Sequence, residues 1–179
     1  MKVLYIDTHY KDIHVALFDD NGLIREQKLL DKKNNSSYIM PIISEVCTPR
    51  EIEQIVVVNG PGSFTGVRLG VTIAKTMAYC LNVPIKVLSY FDVLYNSNQN
   101  SEAIYAVFDN NGYYVKDYSI DQNPRYLSKE EFVNEFEINK LITNGNINFK
   151  NLYNFLSTKE ETNVHLVNPL YIKKIGVEK

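Results

Sequence analysis

Apolar residues open the chain in short, β-spaced runs. "KVLYID" (2–7) and "IHVALFD" (13–19) flank a polar stretch, and the second run alternates, with Ile13, Val15 and Leu17 on one face and His14, Ala16 and Phe18 on the other. "DDNG" (19–22) follows, and Asn21-Gly22 tolerates the positive φ of a tight hairpin. "LIREQKLL" (23–30) is therefore predicted to return as the third strand of an antiparallel meander. The polar "DKKNNSS" leads into "YIMPIISEVC", a helical pattern with Ser36 or Ser37 as its cap and Pro41 confined to the first turn or a bend. "QIVVV" (54–58) is an unbroken run, the pattern of a strand covered on both faces.

A glycine-bearing loop, "NGPGSFTGVR" (59–68), separates that strand from a helix predicted over 66–81. Asn82 and Pro84 stop this helix ahead of a fifth strand in "VPIKVLS" (83–89). "YFDVLYNS" reads as a short helix, and the polar "NSNQNS" (96–101) divides a unit spanning 1–98 from a second spanning 99–179. The opening theme then recurs. "AIYAVFD" (103–109) and "YYVKDYSI" (113–120) form a second hairpin around "NNG", and Ser128 with Glu131 supplies a capping box for "LSKEEFVNEF" (127–136). "KLITNG" (140–145) reads as a short strand and "FKNLYNFLS" (149–157) as a helix. Both halves follow the order hairpin, helix, strand, helix, so the chain reads as a duplicated α/β unit with a trimmed second copy.

Glycines between a strand and a helix raise the question of phosphate. The P-loop pattern fails because Gly60 and Gly66 are six apart and Val67 stands where lysine is needed. The dinucleotide fingerprint fails at its third glycine, where Thr65 stands. A helix N-terminus still offers unpaired amides and the positive end of a dipole. Gly62, Ser63, Thr65 and Gly66 would admit an anion there, and Arg68 adds a charge within one turn. The competing reading is that Ser63 or Thr65 caps the helix while Gly60-Pro61-Gly62 makes a turn. Along the helix, Gly66, Gly70, Ala74 and Ala78 recur at four-residue intervals, flanked by Val67, Val71 and Met77. Such a stripe packs closely either on the lobe's own sheet or against a second helix.

Composition narrows the function classes. The chain has 179 residues, 45% hydrophobic and 22% charged, with a net charge of −2, so no global field draws it to nucleic acid. Its longest apolar run falls well short of the roughly 18 residues that cross a bilayer, and "MKVLYID", with Asp7, reads as a strand and not as a signal peptide. Cys47 and Cys80 read as small hydrophobes on helix faces. The expectation is a cytoplasmic protein. His9, His14 and His165 show no metal-ligand spacing, and no nucleophile–base pair follows from spacing, so neither a metal, a cofactor nor a catalytic residue is expected. His9 stands out by lying in a turn beside Asp7. The basic residues of "YIKKIGVEK" make too small a patch for more than weak RNA contact.

The stretch "VNGPGSFTGVRLGVTIAKTMAY" (58–79) resembles the signature of the TsaB (YeaZ) family, and "LYIDTHYKDIHVALFDDNG" is similar to that family's opening hairpin, including Asp7-Thr8. "NPLYIKK" (168–174) resembles its closing element. The resemblance implies an actin/Hsp70/sugar-kinase-like (ASKHA) fold of two RNase H-like lobes, here with a shortened second lobe. It implies a non-catalytic subunit of the system that makes threonylcarbamoyladenosine on tRNAs reading A-starting codons. The implied partners are TsaD, TsaE and, through the complex, tRNA, with a homodimer when TsaD is absent. Gly66, Val67, Gly70, Val71, Ala74, Met77 and Ala78 then become the expected docking face. In kinases of the same fold an Asp at the end of the first strand serves the metal–nucleotide, which makes an ATP-dependent phosphotransferase using Asp7 and the 60–66 loop the alternative. "THYKD" lacks the glycines that a close phosphate approach wants, so Asp7 is expected to bond within the turn.

Overall fold

The computed structural model describes residues 1–30, 35–120, 123–136 and 141–173. Lys140, at the head of the predicted short strand, and the basic residues beyond Lys173 lie outside this set.

Strands β1 (Val3–Asp7), β2 (Ile13–Asp19) and β3 (Gly22–Leu29) form the predicted meander. Two parallel strands, β4 (Gln54–Val58) and β5 (Ile85–Leu88), extend it into a sheet of order β3-β2-β1-β4-β5. β1 and β4 are buried along their whole length, because both faces of this sheet are covered. On one face Leu4, Ile6, Ile55 and Val57 meet helices α1 (Ile39–Val46) and α2 (Phe64–Leu81). On the other, Val3, Tyr5, Val56 and Val58 meet Val93 of α3 (Tyr90–Asn98) and Phe149, Leu152 and Leu156 of α5 (Phe149–Ser157).

The second sheet has order β8-β7-β6-β9, from β6 (Ile104–Asp109), β7 (Gly112–Asp117), β8 (Arg125–Ser128) and β9 (Leu141–Ile142). β6 to β8 repeat the antiparallel meander and β9 adds one parallel neighbour, so the second copy is smaller by a strand. Helix α4 (Lys129–Glu135) starts at the Ser128–Glu131 capping box and closes this sheet through Phe132. This is the duplicated ASKHA arrangement with its second lobe reduced. Helix α3 joins the two lobes: Val93 packs under the first sheet while Phe91 and Leu94 pack with Tyr105 of the second. Helix α5, although late in the chain, lies on the first sheet. Of the two cysteines, Cys47 is buried as expected and Cys80 is exposed, on the solvent side of α2.

Candidate functional site

Helix α2 begins two residues ahead of the predicted start, because Ser63 is its N-cap and accepts a hydrogen bond from the Gly66 amide at 3.3 Å. The Ser63 amide itself donates to the His9 carbonyl at 2.6 Å. The turn after β1 thus sits on the head of the helix. A Cβ at Gly62 would overlap the His9 carbonyl oxygen and one at Gly66 would overlap that of Thr8. Thr8 is fully buried, and its hydroxyl donates to the Gly66 carbonyl at 2.6 Å.

These contacts correct the anion reading. The Gly66 amide is spent on Ser63 and the Ser63 amide on His9, and the carbonyl oxygens of Thr8 and His9, which repel anions, face the loop. Arg68 turns away: its guanidinium stacks on Phe64 at 3.7 Å and its Nε donates to the Tyr171 hydroxyl at 2.8 Å. Thr65 is exposed. Asp7 belongs to the other side of the sheet. Strand alternation places Tyr5 and Asp7 on the face opposite Ile6 and Thr8, which look toward α2. The carboxylate and the glycine loop therefore do not form one site.

The expected docking stripe needs the same correction. Gly66, Val67, Gly70, Val71, Ala74 and Ala78 are all buried within the monomer, and Met77 is partly buried against the same core. They face β1 and β4, and a Cβ at Gly70 would collide with the Thr8 hydroxyl. The stripe holds α2 tight to its own sheet. What α2 presents to solvent is the opposite row, with Thr72 and Thr76 exposed and Leu69 and Ile73 half-buried.

The segment after α5 runs back along α2 as a strap, a feature with no periodicity to announce it in the sequence. Thr162 donates its amide to the Ile85 carbonyl at 2.9 Å, and Lys75 Nζ donates to the carbonyls of His165 and Val167 at 3.2 and 3.0 Å. At the glycine loop, Leu170 donates to the Asn59 carbonyl at 2.7 Å, and Asn59 Nδ2 donates to the Asn168 carbonyl at 3.0 Å. Gly60 has φ +116°, and its missing Cβ would lie 3.2 Å from the Leu170 oxygen. Lys173 then reaches Asp109 and Tyr126 on the second lobe, each at 3.4 Å. Lys75→Met removes two charge-assisted bonds, and the expected loss is about 2 kcal/mol. A thermal melt gives the magnitude, and limited proteolysis is expected to cut first within 163–173.

Between the lobes lies a cavity of about 460 Å³ lined by Asp7, His9 and Tyr90 from the first lobe and by Phe108, Thr143 and Asn144 from the second. At its floor the Asp7 carboxylate, 5% exposed, accepts from the Tyr5 hydroxyl at 2.9 Å, the His9 amide at 3.0 Å and His9 Nδ1 at 2.7 Å. Burial works to raise its pKa, but the charge and hydrogen bonds of His9 and the Tyr5 hydroxyl together hold it below the usual carboxylate value. The His9 ring stacks on Tyr90 at 3.8 Å. The sequence singled out Asp7 and His9. Tyr5, Tyr90, Phe108 and Asn144 carry no local signal and meet only through the fold. Among the described residues, no group of three or more acidic, histidine or cysteine side chains is placed to hold a metal.

Comparison with known proteins follows the same lines. A family model described as TsaD, tRNA N6-adenosine threonylcarbamoyltransferase, matches residues 31–110, the stretch holding α1 to α3. The tRNA threonylcarbamoyladenosine biosynthesis protein TsaB of Bacillus subtilis (strain 168) is 36% identical over 115 residues, 61% of this chain and 50% of that relative. The chain thus matches half the length of that protein. The protein of the same name from Buchnera aphidicola subsp. Acyrthosiphon pisum (strain APS) is 23% identical over 183 residues, 96% of this chain and 80% of the relative. Among solved structures, YeaZ from Pseudomonas aeruginosa has a TM-score of 0.72 at 16% identity, covering 95% of this chain and 99% of that one, which is a likeness of fold.

Proposed function

The chain belongs to the TsaB (YeaZ) family, and on that premise we propose that it is a non-catalytic subunit of the apparatus that forms threonylcarbamoyladenosine on tRNA. Its partner is TsaD, and together the pair presents a surface to TsaE and to tRNA. The observation that carries this reading is the match of residues 31–110 to a model of the transferase itself. Two chains that share the lobe containing α1 and α2 can pair these helices around a pseudo-twofold axis, as like surfaces do in symmetric dimers. The face offered is the solvent row of α2 (Leu69, Thr72, Ile73, Thr76), together with Met40 of α1, which lies on the same side of the first sheet and is 46% exposed. Two helices suffice to bury the roughly 800 Å² per partner of a standard interface. Without TsaD the same row serves a homodimer.

The phosphotransferase alternative is weakened by the geometry of the loop, whose Ser63 and Gly66 amides are already spent. A net charge of −2 leaves tRNA to be held mainly by the partners.

Co-purification with TsaD tests the reading. Thr72→Arg places a charge at an exposed position of the proposed face, and it is expected to lower TsaD recovery at least about tenfold, the cost of one buried unpaired charge at an interface. Its melting temperature should stay near that of the parent. Recovery unchanged by the arginine would overturn the placement of the face. Failure of the parent chain to restore threonylcarbamoyladenosine to the tRNA of a TsaB-depleted cell would overturn the function.

A further inference from the structure

Helix α2 carries two cations, and the fold treats them differently. Lys75 is spent on the strap, donating to the carbonyls of His165 and Val167. Arg68 is exposed and lies over the Phe64 ring, while its Nε donates to the Tyr171 hydroxyl at 2.8 Å. Neither of its terminal NH2 groups hydrogen-bonds to a described residue, and no described carboxylate pairs with it. The guanidinium is thus held at one face and one edge, and the fork that grips anions is left to solvent. A side chain already fixed in this way loses little rotamer freedom when a partner arrives.

Thr162 joins the strap to Ile85 of β5, whereas α1 packs on β2 and β3, so the strap covers the flank of α2 away from α1. Arg68 stands where that flank meets the exposed row, beside Leu69 and one turn ahead of Thr72. No Asp or Glu occurs in residues 54–91 or 162–173, so α2 and the strap offer Arg68 no carboxylate, although the whole chain carries −2. Phe64 and Tyr171 are both exposed beside it, and an arginine flanked by aromatic rings has the composition of an interface anchor. RNA is held through several phosphates at once. Here the neighbouring cations are taken, Lys75 by the strap and Lys173 by Asp109 at 3.4 Å. One fork among apolar rings, next to the row of Leu69, Thr72, Ile73 and Thr76, fits a single carboxylate on another protein.

We propose that Arg68 receives a carboxylate of TsaD, and that this pair makes the chain select TsaD over a second copy of itself. The assignment rests on the TsaD pairing argued above and adds to it the residue that decides between partners. A second copy that meets this helix with its own α2 and strap brings no carboxylate from either element. The fork then stays unpaired at the interface, which disfavours the homodimer without any clash of shape. Phe64 and Tyr171 are positioning residues: the ring shields one face of the guanidinium and the hydroxyl fixes its Nε edge.

Titration calorimetry of the full chain with TsaD, and sedimentation of the full chain alone, read the two associations. Arg68→Gln is expected to weaken TsaD binding about tenfold and to flatten its dependence on salt, while self-association stays unchanged or tightens. Arg68→Lys keeps the charge without the fork or the stack, and restores only part of the affinity. Tyr171→Phe is expected to weaken TsaD about threefold with the salt dependence of the parent, because the charge remains but its edge is freed. Lys75→Met loosens the strap without touching Arg68 and should leave TsaD binding unchanged, which separates a direct contact from one transmitted through the strap. TsaD affinity unmoved by Arg68→Gln, an equal loss in self-association, an equal loss in Lys75→Met, or a loss of tRNA binding in place of TsaD binding would each overturn the proposal. If Thr72→Arg abolishes TsaD binding and Arg68→Gln does not, the docking row stands and the Arg68 assignment alone falls. A parent chain that does not bind TsaD removes both.

Discussion

Gly66→Ala is expected to melt well below the parent protein, by roughly 5–10 °C. The added methyl meets the Thr8 carbonyl oxygen, a backbone atom directly after β1 that cannot swing aside as a side chain does. It also disturbs the bond from the buried Thr8 hydroxyl to the Gly66 carbonyl. Overpacking of this kind costs about 3 kcal/mol or more, offset by the roughly 1 kcal/mol that alanine gains over glycine inside a helix. A net loss of about 2–3 kcal/mol gives the stated shift for a chain of this size. Thr72→Ala, one turn and a half further along on the solvent row, should be neutral within about 0.5 kcal/mol. The pair separates two meanings of the same stripe. If Gly66 existed to receive a foreign helix, alanine would impair association and leave the melt alone. A parent-like melting temperature for Gly66→Ala would sink the intramolecular account. It also follows that Gly70→Arg cannot probe docking, since a fold this disturbed loses every partner.

Most elements were legible because their burial is one-sided or two-sided in a regular way. β4 is an unbroken apolar run and is covered on both faces as that pattern predicts, whereas β2, which alternates, is also buried on both faces, through Ala16 and Phe18 as well as Ile13, Val15 and Leu17. The end of α2 was legible too, with Asn82 at φ 53° where the sequence placed the stop. The direction of the small-residue stripe was not. Glycines and alanines at four-residue spacing report a close approach, and the same spacing serves a neighbouring strand or a partner helix. Only Thr8, threaded under Gly66 and Gly70, decides between them. Helix α5 was readable as amphipathic, but periodicity does not say which sheet its apolar side will meet. It returned to the first lobe. The strap from Thr162 onward was invisible for another reason. Its stability comes from backbone carbonyls bonded to Lys75 and Asn59, and backbone groups are present at every position of every sequence.

The cleft was half legible. Asp7 and His9 are two residues apart, so their meeting in a turn follows from local geometry. Tyr5, on the same strand face as Asp7, follows from alternation once β1 is placed. The opposing wall comes from residues 107–108 and 143–145, and their arrival depends on how α3 sets one lobe against the other.

Asp7 is where stability and ligand chemistry make opposite forecasts. An aspartate kept for a metal–nucleotide would be dispensable to the fold, and its removal would leave the melt unchanged while abolishing ATP binding. Here Asp7→Ala is expected to cost about 3–5 kcal/mol, a fall on the order of 10 °C. It strips the fully buried Tyr5 hydroxyl of its partner and leaves the His9 amide and Nδ1 unpaired. Asp7→Asn retains the shape and some of the bonds, so a smaller loss is expected, together with a changed response to acid. The folded-state pKa of Asp7 is depressed, and the stability from its ionised form is therefore present above the unfolded value near 3.9 and disappears as pH falls through the lower folded value. Denaturant melts of the parent should steepen in their loss of stability below about pH 4, and those of Asp7→Asn should lack that component. An Asp7→Ala protein as stable as the parent at pH 7, with an unaltered acid limb, would return this carboxylate to the ligand-serving role it holds in kinases of the same fold.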